Sequence, residues 1–483
     1  MVEKGVSLSH NQNPDVEPDI ETLRERFEAC GQGHVFRFWD ELSEAARKRL
    51  ARQAARIDLE ILKSLHAAQA STPASDEIEP IAVVRLPESG GDADRLRRAG
   101  QRGEELLSAG RIALLVVAGG QGSRLGFDGP KGCYPIGPVS ERSLFALQAQ
   151  RIRRLRRRFS DALPWYVMTS ATTDAATRQF FAENDHFGLP THDVLFFQQA
   201  MVPSLDFEGR LILEQPDRIF ENPNGHGGSL TALLDSGALD DMERRGVETI
   251  FYYQVDNPMI RLADPTYLGL HAAESADMSC KVIRKLDPME KMGVVARIAG
   301  RPGVIEYTEL SDEIRHARDT SGEMVYWAGS IATHAFSVDF VRRVAGAADE
   351  WLPYHASAKK IPGVDDSGRP VVPREPNGRK LERFVFDALT AARQTCIVEA
   401  DRDIEYSPVK TPDVGESVVK ARRNLSSLYR GWLAEAGLPL PPAGIAIEID
   451  HSRADDASEL RALGIKSIEE APDIIRTAPG AES

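Results

Sequence analysis

The residues Gly119, Gly120, Gly122, Arg124, Gly126 and Lys131 follow directly on an apolar run, Leu114-Leu115-Val116-Val117-Ala118, and Pro130 precedes the lysine. Glycines lacking Cβ let backbone N–H groups approach and wrap an anion, and two cations supply charge that backbone dipoles cannot. The combination reads as a loop that grips phosphate. A Walker loop is excluded, because no Gly here has a Gly-Lys-Ser/Thr at the required distance. A dinucleotide fingerprint is excluded too: Gly120 and Gly122 are followed at the third slot by Leu125, and Pro130 interrupts an early helix.

Such a loop must be held by a scaffold, and the flanking sequence supplies one. Short apolar runs rich in β-formers occur at Ile112–Val117, Trp165–Thr169, Val194–Gln198 and Thr249–Val255. Helical stretches such as Ser143–Phe159 and Asp174–Phe181 lie between several of them. This alternation predicts an α/β fold, a Rossmann-like and mostly parallel sheet covered by helices. Ligands in such sheets bind beyond the carboxyl ends of the strands. Gly119–Lys131, Gln198–Gln199 and Asp256–Asn257 each follow a predicted strand, so they are expected around one crevice.

Three regions are expected along the chain: an N-terminal helical segment with linker over 1–100, a catalytic domain over 101–400 and a small C-terminal domain over 401–483. Residues 1–18 are polar and read as disordered. From Asp19 to about Gln69 the pattern is helical, with Leu50, Ala54, Ile57, Ile61 and Leu65 forming one apolar stripe. Ser71–Gly91 reads as a linker, and Ala421–Ala436 as a helix. In the basic run Arg151–Arg158, Ile152, Leu155 and Phe159 share a helical stripe, which predicts a solvated face with the arginines outward.

Composition narrows the partners. A formal net charge of -14 argues against a nucleic-acid polymer, while a cationic loop on an acidic protein still suits a nucleotide. The four cysteines are far apart and form no CxxC pair, which disfavours a zinc cluster or a disulfide framework. No apolar run approaches the ~20 residues of a membrane span, and no signal peptide is visible. A reducing cytoplasm is the expected setting.

The loop pattern G-G-x-G-[ST]-R-L-G followed by P-K-G resembles the signature of nucleotidyltransferases that make nucleotide sugars. Further segments recur in the same order: Phe196-Phe197-Gln198-Gln199, Asn224-Gly225-His226-Gly227-Gly228, Val255-Asp256-Asn257, Gly293-Val294-Val295, Glu306-Tyr307, Lys359-Lys360-Ile361-Pro362, Lys380–Asp387 and Ser407-Pro408-Val409-Lys410. Together they resemble the UDP-sugar pyrophosphorylases, most of all the eukaryotic-type UDP-N-acetylglucosamine pyrophosphorylases, over roughly residues 20–450.

The resemblance implies attack by a sugar 1-phosphate on the α-phosphorus of UTP, giving a UDP-sugar and pyrophosphate. Catalysis would consist largely of positioning and of neutralising phosphate charge. Ala118, Gly119, Gly120 and Gly122 would contact the nucleotide, Arg124 the departing phosphates and Lys131 the α-phosphate. Asp256 would hold Mg²⁺, which favours one or two carboxylates plus phosphates; an aspartate there also starts Asx turns. Lys410 would be a second phosphate clamp and Lys380 would serve the sugar phosphate. Gln199 would read uracil through its amide, with Gly225 letting the base lie close and His226 binding beside it. Gly293, Glu306 and Ser330 would face the sugar.

Two positions depart from the acetamido-sugar pattern. Gly225-His226-Gly227-Gly228 stands where G-N-G-G is usual, nearer to the G-H-G of UDP-glucose and broad-specificity enzymes. Ala328-Gly329-Ser330 stands for A-G-N, and Ser330 reaches less far than Asn. N-acetylglucosamine 1-phosphate is the expected acceptor; glucose 1-phosphate, or a broad range of sugar 1-phosphates, is the alternative. A catalytically silent nucleotide-sugar binder is the reading from another class.

Overall fold

The structure, a computed structural model, describes residues 19–59, 62, 77–412 and 417–480. The expectation of disorder over 1–18, and part of the linker expected at Ser71–Gly91, lie outside the described residues, as do Ile61 and Leu65 of the apolar stripe. The chain forms two compact units, one of Met1–Ala70, Met201–Asn222 and Tyr354–Glu382, the other of the remaining residues.

The larger unit is built on a ten-stranded sheet. Its strands are β1 (Ile78–Pro80), β2 (Ile112–Val117), β3 (Trp165–Thr169), β4 (Val194–Gln198), β5 (Thr249–Gln254), β6 (Met278–Arg284), β7 (Val294–Ile298), β8 (Arg301–Ile305), β9 (Ala328–Ser337) and β10 (Thr395–Glu399). The strands β5-β2-β3-β4 pair in parallel, with Tyr252 opposite Leu115, Leu115 opposite Tyr166 and Tyr166 opposite Leu195. β9 then runs antiparallel against β5, β6 and β7, and β10 is parallel to β6. β2 is buried at every position, as a strand covered on both faces must be.

Helices cover both faces. Leu144–Arg158 starts at Ser143, whose hydroxyl accepts from the Ala146 amide, and packs Leu144, Phe145, Ile152 and Leu155 onto the core that holds Leu114, Val116 and Trp165. On the opposite face Leu230, Leu233 and Phe340 join Leu115, Tyr166 and Tyr252. The helix expected at Ala421–Ala436 spans Val418–Ala436.

The basic run corrects one expectation. Arg151 and Arg156 point inward, because buried carboxylates stand opposite them. Arg151 is 2% exposed, donates to Asp455 and to the Pro258 carbonyl, and lies 3.0 Å from His451 Nε2; Arg156 pairs with Asp193. Arg153, Arg157 and Arg158 remain exposed.

In the smaller unit the helices Ile20–Ala29 and Glu44–Ala55 bury Leu23, Phe27, Leu50 and Ala54 against Leu205, Leu213 and Leu381. The expected helical run from Asp19 is therefore interrupted, and Gly31 at φ +70 ends the first helix. Leu50, Ala54 and Ile57 are buried on the predicted stripe.

Candidate functional site

Parallel pairing brings the carboxyl ends of β2, β3, β4 and β5 to one edge of the sheet, and the phosphate-type loop leaves β2 there. The loop is closed by the Lys131 amide, which donates to the Gly120 carbonyl, and by the Gly122 amide on the Gly129 carbonyl. Ser123–Leu125 makes one short turn and Lys131–Cys133 another. Ala118 and Gly119 are buried, whereas Gly120 and Arg124 are exposed. From the end of β3, Ser170 Oγ donates to the Gly119 carbonyl at 2.8 Å and fixes the loop's first turn.

Lys131 Nζ lies 3.1 Å from Asp256 Oδ2, both side chains largely buried. Asp256 follows β5, the immediate neighbour of β2, so the sheet itself sets this meeting. The Asp256 carbonyl accepts from the Val409 amide at 2.9 Å, which brings the segment carrying Lys410 to the same edge. Lys410 is exposed. Burial pushes the neighbouring Cys133 thiol up to about 12, so that sulfur stays protonated and is no nucleophile.

Gln199 leaves the end of β4 and is 7% exposed, with its Oε1 buried and lacking a hydrogen-bond partner among the described residues. A Cβ at position 119 would fall 2.3 Å from Gln199 Nε2, so only glycine permits this approach. Asn224, whose amide donates to the Ala200 carbonyl, presents a second buried acceptor without a partner. Unsatisfied buried acceptors are costly, so each is a place where a donor would be favoured. Gly225 turns the chain at φ +87. His226 Nδ1 then accepts the Val385 amide while its ring stacks on Phe384 at 5.3 Å. Burial, with His226 close by, pushes His334 down to about 3, and burial pushes the Tyr252 hydroxyl up, so both stay neutral beneath the site.

Gly293, just before β7, and Glu306, just after β8, lie close to Ser330 on β9. The Ser330 amide donates to the Gly293 carbonyl at 2.9 Å, and a Cβ at 293 would lie 3.4 Å from Glu306 Oε1. Lys380 lies in the smaller unit, where its ammonium donates to Glu382 at 3.0 Å. A cavity of about 470 Å³ lined by Arg151, Met259, Arg261, Ile404, Leu428 and Trp432 contains none of the candidate substrate-binding residues.

A glycine loop closed on a strand end, a lysine–carboxylate pair and an amide held under the loop form the arrangement expected of a nucleotidyltransferase. A family model described as UTP–glucose-1-phosphate uridylyltransferase matches residues 62–430. The chain belongs to this uridylyltransferase family. It is 37% identical over 454 residues to the UDP-N-acetylhexosamine pyrophosphorylase-like protein 1 of Xenopus tropicalis, covering 89% of this chain and 88% of that protein. It is 32% identical over 446 residues to the UDP-N-acetylglucosamine pyrophosphorylase of Saccharomyces cerevisiae, covering 88% and 93%. The crystal structure of the UDP-N-acetylglucosamine pyrophosphorylase of Trypanosoma brucei superposes with a TM-score of 0.76 at 28% identity, covering 92% of this chain and 94% of that one. The uridylyltransferase fold is thus the one that the strand–helix alternation predicts.

Sequence reasoning gave no role to Ser170, Asn224 or Asn257. Asn257 spans two loops: its Nδ2 donates to the Glu405 carbonyl at 2.7 Å and its Oδ1 accepts the Ser407 amide at 3.1 Å. Asn224 and Asn257 stand inside motifs visible in the sequence, a usable signal. Ser170 carries no local pattern and is found only through its bond to Gly119.

Among the described residues no three or more His, Cys, Asp or Glu side chains form a metal cage. The donor set suits Mg²⁺ nonetheless, since that ion binds through one or two carboxylates and completes its shell with phosphate oxygens and water. Asp256, beside the loop and paired with Lys131, offers one such carboxylate.

Proposed function

We propose that the chain joins UTP and N-acetylglucosamine 1-phosphate into UDP-N-acetylglucosamine with release of pyrophosphate. The names of its relatives support the substrate class. The observation that carries the reading is the meeting of Lys131 and Asp256 at 3.1 Å beside the glycine loop. In the reaction a phosphate oxygen of the sugar phosphate attacks the α-phosphorus. A new P–O bond forms as the bridge to the β-phosphate breaks, and pyrophosphate leaves with that electron pair.

Amides of Gly119, Gly120 and Gly122 would hold triphosphate oxygens, and Lys131 would neutralise the α-phosphate as its charge is redistributed. Arg124 would pair with the departing phosphates and Lys410 would clamp from the opposite loop. Gln199 and Asn224 would read the uracil edge, while Glu306, Ser330 and the Gly293 backbone would orient the sugar. Lys380 would serve the sugar phosphate. Asp256 would hold Mg²⁺, which when bound supplies further neutralising charge to the triphosphate.

Glucose 1-phosphate is a second reading, favoured by His226 and by the short Ser330. A pyrophosphate-release assay with UTP and a panel of sugar 1-phosphates decides. N-acetylglucosamine 1-phosphate is expected to react fastest; glucose 1-phosphate leading would favour the second reading. No release with any sugar phosphate would refute both.

A further inference from the structure

Lys281 on β6 is 1% exposed, and it belongs to no motif singled out above. Its ammonium donates to Asp264 Oδ2 at 2.8 Å and to Glu405 Oε2 at 2.5 Å, and lies 5.4 Å from the Tyr267 ring. Arg261 Nε, 3.9 Å from Asp264 Oδ1, adds the second positive charge. One buried ammonium thus sits between two buried carboxylates, with the exposed Arg261 guanidinium at the rim.

Buried ion pairs of this kind are a poor route to stability, because desolvation offsets most of the attraction and apolar side chains would serve as well. What distinguishes this cluster is where its carboxylates come from. Asp264 accepts the Thr266 amide and starts the helix Pro265–Ala273, directly after the Asp256 segment. Glu405 opens the segment that ends at Lys410. Its carbonyl accepts from Asn257 Nδ2, and four residues on the Val409 amide donates to the Asp256 carbonyl. One ammonium therefore pins to β6 the roots of both loops that carry charge to the phosphate edge.

We propose that Lys281 is a positioning residue: by holding Asp264 and Glu405 together it sets the separation of Asp256 and Lys410 across the reacting phosphates. This rests on the function proposed above, since the geometry it maintains matters for turnover only if phosphates react there.

Glu405→Leu removes the tether while leaving Lys281 paired with Asp264, so the buried charge stays compensated. Two readouts are taken on the full chain: amide hydrogen exchange at Ser407 and Val409, and kcat and KM for UTP and N-acetylglucosamine 1-phosphate. Both amides should exchange faster, and kcat should fall about 10- to 100-fold with KM for UTP changed less, because small misplacements of charged groups act on the transition state. Glu405→Gln keeps an acceptor for the ammonium without the charge, so it should lose roughly threefold in kcat, a charge-assisted bond being about twice as strong as a neutral one. If Glu405→Leu does not fold, Glu405→Gln carries the test on the same readouts. Unchanged exchange, or faster exchange with parental kcat, overturns the proposal. A parent inactive with every sugar phosphate instead refutes the proposed function, and exchange at Ser407 and Val409 still decides whether the tether holds the loops.

Discussion

Lys131 Nζ and Asp256 Oδ2 stand 3.1 Å apart at the ends of two strands that are neighbours in the sheet. The lysine closes the glycine loop through its own backbone, so side chain and main chain of one residue bind the loop to the next strand. Lys131→Ala should lower kcat by ~10²–10³, the range for losing one preorganised charge stabiliser, with the thermal transition little moved. An unchanged kcat removes Lys131 from the chemistry.

Asp256→Asn keeps the side chain's shape but removes its charge. The Mg²⁺ concentration giving half-maximal turnover should rise, by about 10- to 100-fold if the carboxylate is a direct ligand. A metal titration of parent and variant reads this directly, and coincident curves would place the ion elsewhere.

Base selection should depend on Gln199 and on the space left by Gly119. Gln199→Ala is expected to narrow the preference for UTP over CTP. Gly119→Ala should do the same with Gln199 itself retained, since the added Cβ would fall 2.3 Å from Gln199 Nε2 and push the amide aside. Competition assays with the two triphosphates measure both; selectivity equal to the parent's would contradict the assignment.

Glu306 sits beside Gly293, where the sugar is proposed to bind. Losing a carboxylate acceptor should reduce kcat/KM for the sugar 1-phosphate about 10- to 100-fold, the range for hydrogen bonds to a charged group, while KM for UTP holds. A change confined to UTP would move Glu306 out of the sugar site.

Acid should destabilise the fold through buried histidines. Burial holds His271 down at about 4 and, with His226 nearby, His334 at about 3, against an ordinary 6.5. Below pH 6.5 the unfolded chain binds these protons and the folded one does not, so stability present above 6.5 is lost as pH falls towards 4. Each histidine contributes a slope of up to about 1.4 kcal/mol per pH unit there. Urea unfolding from pH 7 to 4.5 should show a shallower slope in His271→Gln; the same slope would exclude His271 as a contributor.

Much of this was legible in the chain because it is local. The β2–β5 runs, the helical stretch from Ser143 and the strand-end positions of Gln199 and Asp256 all follow from short-range periodicity. The buried arginines were not legible: periodicity shows which positions share a face, and Asp455, which pulls Arg151 inward, lies 304 residues away in sequence. The same holds for Lys281, which nothing in its neighbourhood marks as ionically paired, and for a smaller unit assembled from three separated stretches. Lys380 was expected beside the sugar phosphate on family pattern alone, without local geometry to place it.

The antiparallel pair Ile445–Ile449 with Ile475–Pro479 has a practical consequence for anyone shortening this protein. Glu448, fully buried, takes the amides of Val139 and Ser140 just downstream of the glycine loop, and His451 and Asp455 occupy the far side of Arg151. Deleting the tail beyond Gly444 would leave an enclosed guanidinium without its counter-ion and two amides without acceptors. The tail is thus no dispensable extension, and a trimmed version should come out insoluble rather than merely slower.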